Sequence, residues 1–331
     1  MSSLKHIQKR KKWRISFWLF IIAATVVAAE QLVPAASVSA SKEVIGSAVF
    51  SPPPNIADIQ QEVRVIKNLM YDEAKNSFLD IYHPANTTEP LPVILFIHGG
   101  GYVGGSKDSR QDYAMALANA GYMVANIDYA LAPDQIYPGP ILQANAALAY
   151  LNEHASKFGG DMRRLFIGGD SAGAQISSQL AAVISNEELA KAMNVQPAVQ
   201  NEQLRGALLL CGLFNMETVK ATGFPNIESF LNAYTGTEQF EAFDRISELS
   251  TVQHITPDYP PVFITAGDGD PFASQSEELV NVLKSHHVAV DPVFFNESGK
   301  ELRHEFQYAL DTIDAQETLE KTISFLAINS N

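Results

Sequence analysis

Cysteine is almost missing from this 331-residue chain, with Cys211 standing alone. A single thiol excludes an internal disulfide framework, a thiolate zinc cluster and an iron–sulfur site. Basic charge is scarce as well. Lysine and arginine number 23 against 37 acidic residues, a formal net charge of −14. Such a chain lacks the basic surface that phosphate backbones require, which argues against nucleic acid as a partner. Long apolar runs are confined to residues 15–29. What remains is bulk: 46% apolar and 18% charged residues, the balance of a globular protein that buries roughly three quarters of its unfolded surface.

The scarce basic residues are unevenly spread. Lys5, Lys9, Arg10, Lys11, Lys12 and Arg14 crowd ahead of the apolar run, and Val38-Ser39-Ala40 follows it. A positive start, an apolar middle and small residues at a cleavage position read as a secretory signal over residues 1–40. An uncleaved amino-terminal anchor is the alternative, although about 15 apolar residues fall short of the roughly 20 that span a bilayer. Both readings put the remainder outside the cytoplasm, secreted or extracytoplasmic, with a membrane touched only through that segment. A lone thiol suits that destination, because it has no internal partner to be wrongly oxidised with.

Residues 41–61, rich at first in Ser, Pro and small side chains, read as a linker or flap. From residue 62 the pattern becomes that of one domain running to residue 331. Short strands are expected at 62–69 and 78–82. The run Val93-Ile94-Leu95-Phe96-Ile97 has the continuous apolar character of a strand buried on both faces. Helical patterns at 109–120, 140–158 and 171–185 then alternate with strand patterns at 122–127, 164–168 and 206–210. The alternation resumes with strands at 261–265 and 288–295 and helices at 274–287 and 312–327. This order implies an α/β fold with a mostly parallel central sheet and helices on both faces. Residues 213–259 interrupt it and are too long for an ordinary loop. They read as an inserted cap over the carboxyl ends of the strands, with helical patches near 227–234 and 238–246.

Two glycine-bearing motifs stand at strand ends. Gly169-Asp170-Ser171-Ala172-Gly173 follows the strand at 164–168 and opens a helix. That is the G-x-S-x-G arrangement in which a strained turn presents a serine nucleophile. A serine that merely caps a helix needs neither flanking glycine. His98-Gly99-Gly100-Gly101 follows the buried strand. Backbone without side chains can aim N–H groups into a cavity, so the N–H groups of Gly100, Gly101 and Ala172 are candidates to hold an oxyanion. His98 itself suits a loop-pinning role better than that of a base.

A serine nucleophile needs a base, and the base needs an orienting carboxylate. Of the eight histidines, His304 alone follows the last expected strand in a turn that can hang over the strand ends. His304-Glu305 is not part of an H-E-x-x-H zinc site, since Tyr308 stands where the second ligand belongs. Asp268 and Asp270 both leave a strand in a sharp turn. Asp270 is favoured because Pro271 keeps it out of the helical region. The order Ser171, Asp270, His304 is that of α/β-hydrolases rather than of chymotrypsin or subtilisin.

With these pieces the chain resembles the hormone-sensitive-lipase-like branch of the α/β-hydrolases, which includes many bacterial carboxylesterases. The resemblance runs from about residue 62 to the C-terminus. It rests on His98–Gly101, Gly169–Gly173, Asp270-Pro271, His304-Glu305-Phe306 and the stretch Asp128-Tyr129-Ala130-Leu131-Ala132-Pro133-Asp134. Two residues depart from the family pattern. Ala130 replaces an arginine and so removes a structural salt bridge, and Phe272 replaces a leucine, a change expected to touch packing only. The resemblance implies a serine esterase acting on small-molecule esters with short acyl chains, with no metal and no organic cofactor. An amidase or peptidase would use the same residues, and a non-catalytic binding protein of the same fold is the reading from another class. Phe214, Phe224, Phe230, Tyr234 and Phe243 of the cap are candidates to line the substrate pocket, unless they serve only to bury the cap.

Overall fold

The computed structural model describes residues 50–296 and 298–330; the signal or anchor expected at 1–40 lies outside them. Eight strands form one sheet: β1 (Val63–Asp72), β2 (Ser77–Pro84), β3 (Leu91–Ile97), β4 (Met123–Ile127), β5 (Gly160–Asp170), β6 (Leu204–Leu210), β7 (Val262–Ala266) and β8 (Val290–Phe294). They lie in the order β1-β2-β4-β3-β5-β6-β7-β8. β1 pairs antiparallel with β2 and β2 with β4, and the other pairings are parallel. This is the α/β-hydrolase architecture.

Nine helices accompany the strands among the described residues. They are α1 (Ile56–Glu62), α2 (Gln111–Asn119), α3 (Gly139–His154), α4 (Ala172–Ser185), α5 (Glu187–Met193), α6 (Ile227–Thr235), α7 (Ile246–Leu249), α8 (Ala273–Ser285) and α9 (Ile313–Asn329). Every residue of β3 is buried, which requires cover on both faces. Side chains alternate along a strand, and β3 divides accordingly. Val93, Leu95 and Ile97 join one apolar cluster with Leu148 of α3, Leu180 of α4 and Leu279 of α8. Ile94 and Phe96 join a second with Ile59 of α1, Leu117 of α2 and Phe325 of α9.

The chain leaves β3 for β4 on one side and returns through α3 to β5 on the other, with Ile97 in register with Gly169. A reversal of this kind opens a crevice at the carboxyl ends of the two strands, where open α/β sheets place their ligands. Both glycine motifs sit there.

Three local differences from the sequence expectation have physical causes. The segment expected as a linker up to residue 61 ends in α1, whose seven residues bury only Ile59 and so give almost no helical periodicity. α5 follows α4 after one residue, started by the Asn186 side chain, which accepts from the N–H groups of Glu188 and Leu189. The polar first half of β5 lengthens that strand to Gly160. Residues 213–259 run between β6 and β7 and hold α6, α7 and three short 3₁₀ turns. Among the described residues no helix is long and apolar enough to cross a membrane.

Candidate active site

β5 ends at Asp170 and α4 begins at Ala172, so Ser171 alone makes the joint, with φ 50° and ψ −119°. A side chain in this region of backbone space is strained and persists only where the surroundings over-determine it. Here the Ser171 N–H donates to the Leu210 carbonyl at 2.9 Å, while the Ser171 carbonyl accepts from Gln175 N–H at 3.1 Å. Gly173 explains the motif's last position: a Cβ there would meet the carbonyls of Ile97 and His98 at the end of β3. Only glycine lets the elbow pack this closely on the neighbouring strand.

His304 Nε2 stands 3.0 Å from Ser171 Oγ. Its Nδ1 stands 3.0 Å from both Asp270 oxygens. Burial alone would lower the imidazole pKa, but the Asp270 carboxylate overrides it and raises the pKa well above its ordinary value. Asp270 Oδ1 also accepts the N–H of Phe272 at 2.8 Å, which fixes the carboxylate in place. Asp268 does something else. It accepts from the N–H groups of Lys300 at 3.1 Å and Leu302 at 2.7 Å, bracing the turn that carries His304. Of the two aspartates, Asp270 is the one against the imidazole. Buried Cys211 shares the spot, and its Sγ with Asp270 and His304 makes a set of potential ligand atoms within 4.8 Å of one another. Both imidazole nitrogens already face Ser171 and Asp270, so that set belongs to the same hydrogen-bonded arrangement.

The loop after β3 turns through Gly100 at φ 119° and Gly101 at φ 60°, values that favour glycine. Above Gly101 a Cβ would reach 2.8 Å from the Phe230 ring. The N–H groups of Gly100 and Gly101 find no protein acceptor among the described residues, and both glycines line the same cavity as Ser171 and Ala172. His98 is fully enclosed: its Nδ1 donates to the Gly99 carbonyl at 2.6 Å, and its ring stacks on Tyr129 at 4.4 Å. Burial pushes its pKa down to about 4. The ring stays neutral and holds the loop, as the sequence suggested.

The cavity above these groups has a volume of about 320 Å³. The segment 213–259 contributes Leu213, Phe224, Pro225, Ile227 and Phe230 to its wall. Of the five aromatics expected there, Phe214, Tyr234 and Phe243 are not among its lining residues. Phe214 and Tyr234 are wholly buried in the core, where Tyr234 stacks on Tyr102 at 3.8 Å, and Phe243 packs edge-on to Tyr137. They anchor the segment 213–259 to the core instead. A residue expected to matter for packing alone, Phe272, lines the cavity, stacks on Phe224 at 4.3 Å and faces His304 edge-on. Its position two residues after Asp270 was the signal that could have placed it at the site.

The chain is similar to the carboxylesterase NlhH of Mycobacterium tuberculosis, 36% identical over 132 residues that cover 40% of each protein. It is also similar to the esterase LipC of that organism, 26% identical over 62% of this chain and 51% of the relative. The chain thus spans about two fifths to one half of the length of these curated relatives. Among solved structures it is similar to esterase B from Lactobacillus rhamnosis, with a TM-score of 0.74 and 23% identity, covering 93% of this chain and 96% of that one. That likeness shows the α/β-hydrolase fold, and the resemblance to hormone-sensitive-lipase-like carboxylesterases agrees with it. The BD-FAE family profile matches residues 79–283, more than half of the sequence, and the chain therefore belongs to the BD-FAE family.

Proposed function

We propose that this protein hydrolyses carboxylic esters through an acyl-enzyme, with Ser171 as nucleophile, His304 as base and acid, and Asp270 as the group that orients the imidazole. The observation carrying this reading is the continuous hydrogen-bonded path from Ser171 Oγ through His304 to Asp270 in the wall of a cavity. As Oγ bonds to the substrate carbonyl carbon, its proton passes to His304 Nε2. The carbon–oxygen bond to the alcohol then breaks, and Nε2 returns the proton to the departing oxygen. Water repeats the sequence on the acyl-enzyme, releasing the acid and restoring the serine. The tetrahedral oxyanion is held by the N–H groups of Gly100, Gly101 and Ala172, each such donor contributing about 3–4 kcal/mol of transition-state stabilisation. None of these steps calls for a metal or an organic cofactor.

The substrate is a small-molecule ester with a short acyl chain. A cavity of about 320 Å³ lies at the lower end of the range for small-molecule sites, roughly 300–1,000 Å³. The names of the similar proteins, carboxylesterase and esterase, support the ester over the amide. The order of basic, apolar and small residues over 1–40 supports export from the cytoplasm, which cell fractionation tests directly.

The decisive experiment is a p-nitrophenyl ester panel from acetate to decanoate, run on the parent and Ser171→Ala, with a matched anilide beside each ester. We expect hydrolysis peaking at short chains, near-complete loss in Ser171→Ala and little turnover of anilides. Turnover within tenfold of the parent in Ser171→Ala would overturn the nucleophile. Equal or faster anilide cleavage would make the protein an amidase.

A further inference from the structure

A second buried group of charges lies behind the site. Arg110, in the 3₁₀ turn ahead of α2, is 3% exposed. Its Nε donates to Asp170 Oδ1 at 2.8 Å and its Nη2 donates to Asp170 Oδ2. The same Nη2 donates to Glu305 Oε1 at 3.0 Å. Asp170 further accepts from the Gly99 N–H at 3.1 Å and the Tyr308 hydroxyl at 2.8 Å. The guanidinium also lies against two aromatic rings that touch each other, with its carbon 4.7 Å from the centre of Phe50 and 4.6 Å from that of Tyr308.

The positions of these residues in the chain give the cluster its meaning. Asp170 precedes Ser171, Glu305 follows His304, and Gly99 precedes the two glycines of the oxyanion loop. We propose that Arg110 is a positioning residue that holds the serine elbow, the histidine turn and the start of the oxyanion loop in one register by clamping Asp170 and Glu305 together. The inference rests on the serine-hydrolase reading of Ser171 and His304.

Three observations favour a clamp over a generic ion pair. A buried ion pair is often no more stabilising than apolar packing of the same volume, so stability is a weak reason for one. The guanidinium uses its planar fork, two parallel donations to one carboxylate and one more to another, a geometry that lysine cannot copy. The two neighbouring rings add cation–π contacts that help to hold the guanidinium where it is. In addition, burial raises Glu305 to about 7, with Arg110 pulling down and Asp170 pushing up. Near neutrality the glutamate thus holds its proton for a good part of the time, which relieves the crowding of two carboxylates around one cation.

The test compares the parent with Arg110→Lys, Glu305→Ala and Glu305→Gln, using the rate of Ser171 labelling by a fluorophosphonate and, for titrated active sites, kcat and KM on a short-chain ester. Glu305→Ala leaves Arg110 and Asp170 matched in charge, so it is the variant least prone to unfold. Misplacement of reacting groups by about an ångström costs on the order of 100-fold. We therefore expect labelling and kcat to fall about 10- to 100-fold in Arg110→Lys and Glu305→Ala, with KM little changed. Glu305→Gln, which keeps an acceptor for Nη2, should recover most of the loss. If both cut variants label and turn over like the parent per titrated site, and differ only in thermal stability, the clamp is refuted. A parent that labels at Ser171 but cleaves no ester overturns the substrate reading while leaving the labelling comparison intact. A parent that does not label overturns both.

Discussion

Leu302 N–H donates to Asp268 Oδ1 at 2.7 Å, so the turn carrying His304 hangs from one aspartate while its imidazole rests on another, Asp270. Two acidic residues two positions apart thereby divide one task. The first holds the backbone and the second holds the ring.

This division predicts different consequences for the same substitution. Asp270→Asn presents an amide to Nδ1, favours the wrong tautomer and removes the counter-charge, and should slow turnover about 10⁴-fold. Asp268→Asn gives up one of the two oxygens that accept from the turn but leaves the carboxylate of Asp270 on the imidazole, and should stay within about tenfold of the parent. Steady-state kinetics on both variants settles the ranking. The reverse order would give the catalytic role to Asp268.

The pairing of His304 with Asp270 also sets a pH dependence. Only a neutral imidazole can take the serine proton, and Asp270 holds the imidazolium well above its ordinary range. The acidic limb of kcat/KM should accordingly lie above the usual histidine value, near 6.5. In Asp270→Asn the raising charge is gone and burial remains, so the limb should move to lower pH even as the rate falls. A limb unmoved in that variant would show that another group controls it.

Much of this site was legible in the sequence because its chemistry is local. A strained serine between two glycines, a glycine run after a buried strand and a histidine past the last strand each show in a few adjacent residues. The Asp268–Asp270 choice was open because both leave the same strand, and only the fold shows which carboxylate meets the imidazole. Arg110 was invisible for a different reason. Nothing in its neighbourhood marks it, and its partners Asp170 and Glu305 lie 60 and 195 residues away. The cap aromatics were readable as apolar but not as pocket or core, since the short helices of 213–259 carry too few turns to reveal which face is covered.

The Arg110 cluster predicts an unusual stability profile. Burial raises the Asp170 carboxyl, but Arg110 overrides that and holds it at about 2 against an ordinary 3.8. Its contribution to stability is present above the ordinary value and is lost as pH falls from about 4 toward 2. Glu305 moves the other way, from an ordinary 4.5 to about 7. Its contribution is complete below about 4.5 and is lost as pH rises through 7. His304, also raised, loses its contribution on the same alkaline side. Melts between pH 2 and 8 should therefore show stability declining on both sides. Glu305→Gln should flatten the decline between about 5 and 7 while keeping the acid side. An unchanged slope there would mean that Glu305 does not titrate in that window.

The cap offers the sharpest separation of fit from folding. Phe224 and Phe230 line the cavity, one stacked on Phe272 and edge-on to His304, the other over Gly101. Cutting either to alanine enlarges the cavity in which the proposed ester would sit. The preferred acyl chain should lengthen in Phe224→Ala and Phe230→Ala. Phe214 and Tyr234 are wholly buried away from that face. Phe214→Ala should cost about 3–5 kcal/mol, the usual price of emptying a buried aromatic site, with the chain-length profile of the surviving folded protein unchanged. Acyl panels and denaturant melts on all three alanine variants provide the check. If Phe224→Ala and Phe230→Ala lowered stability as much as Phe214→Ala and left the acyl preference where it was, these rings would be part of the cap's core, and the substrate would be read by other residues.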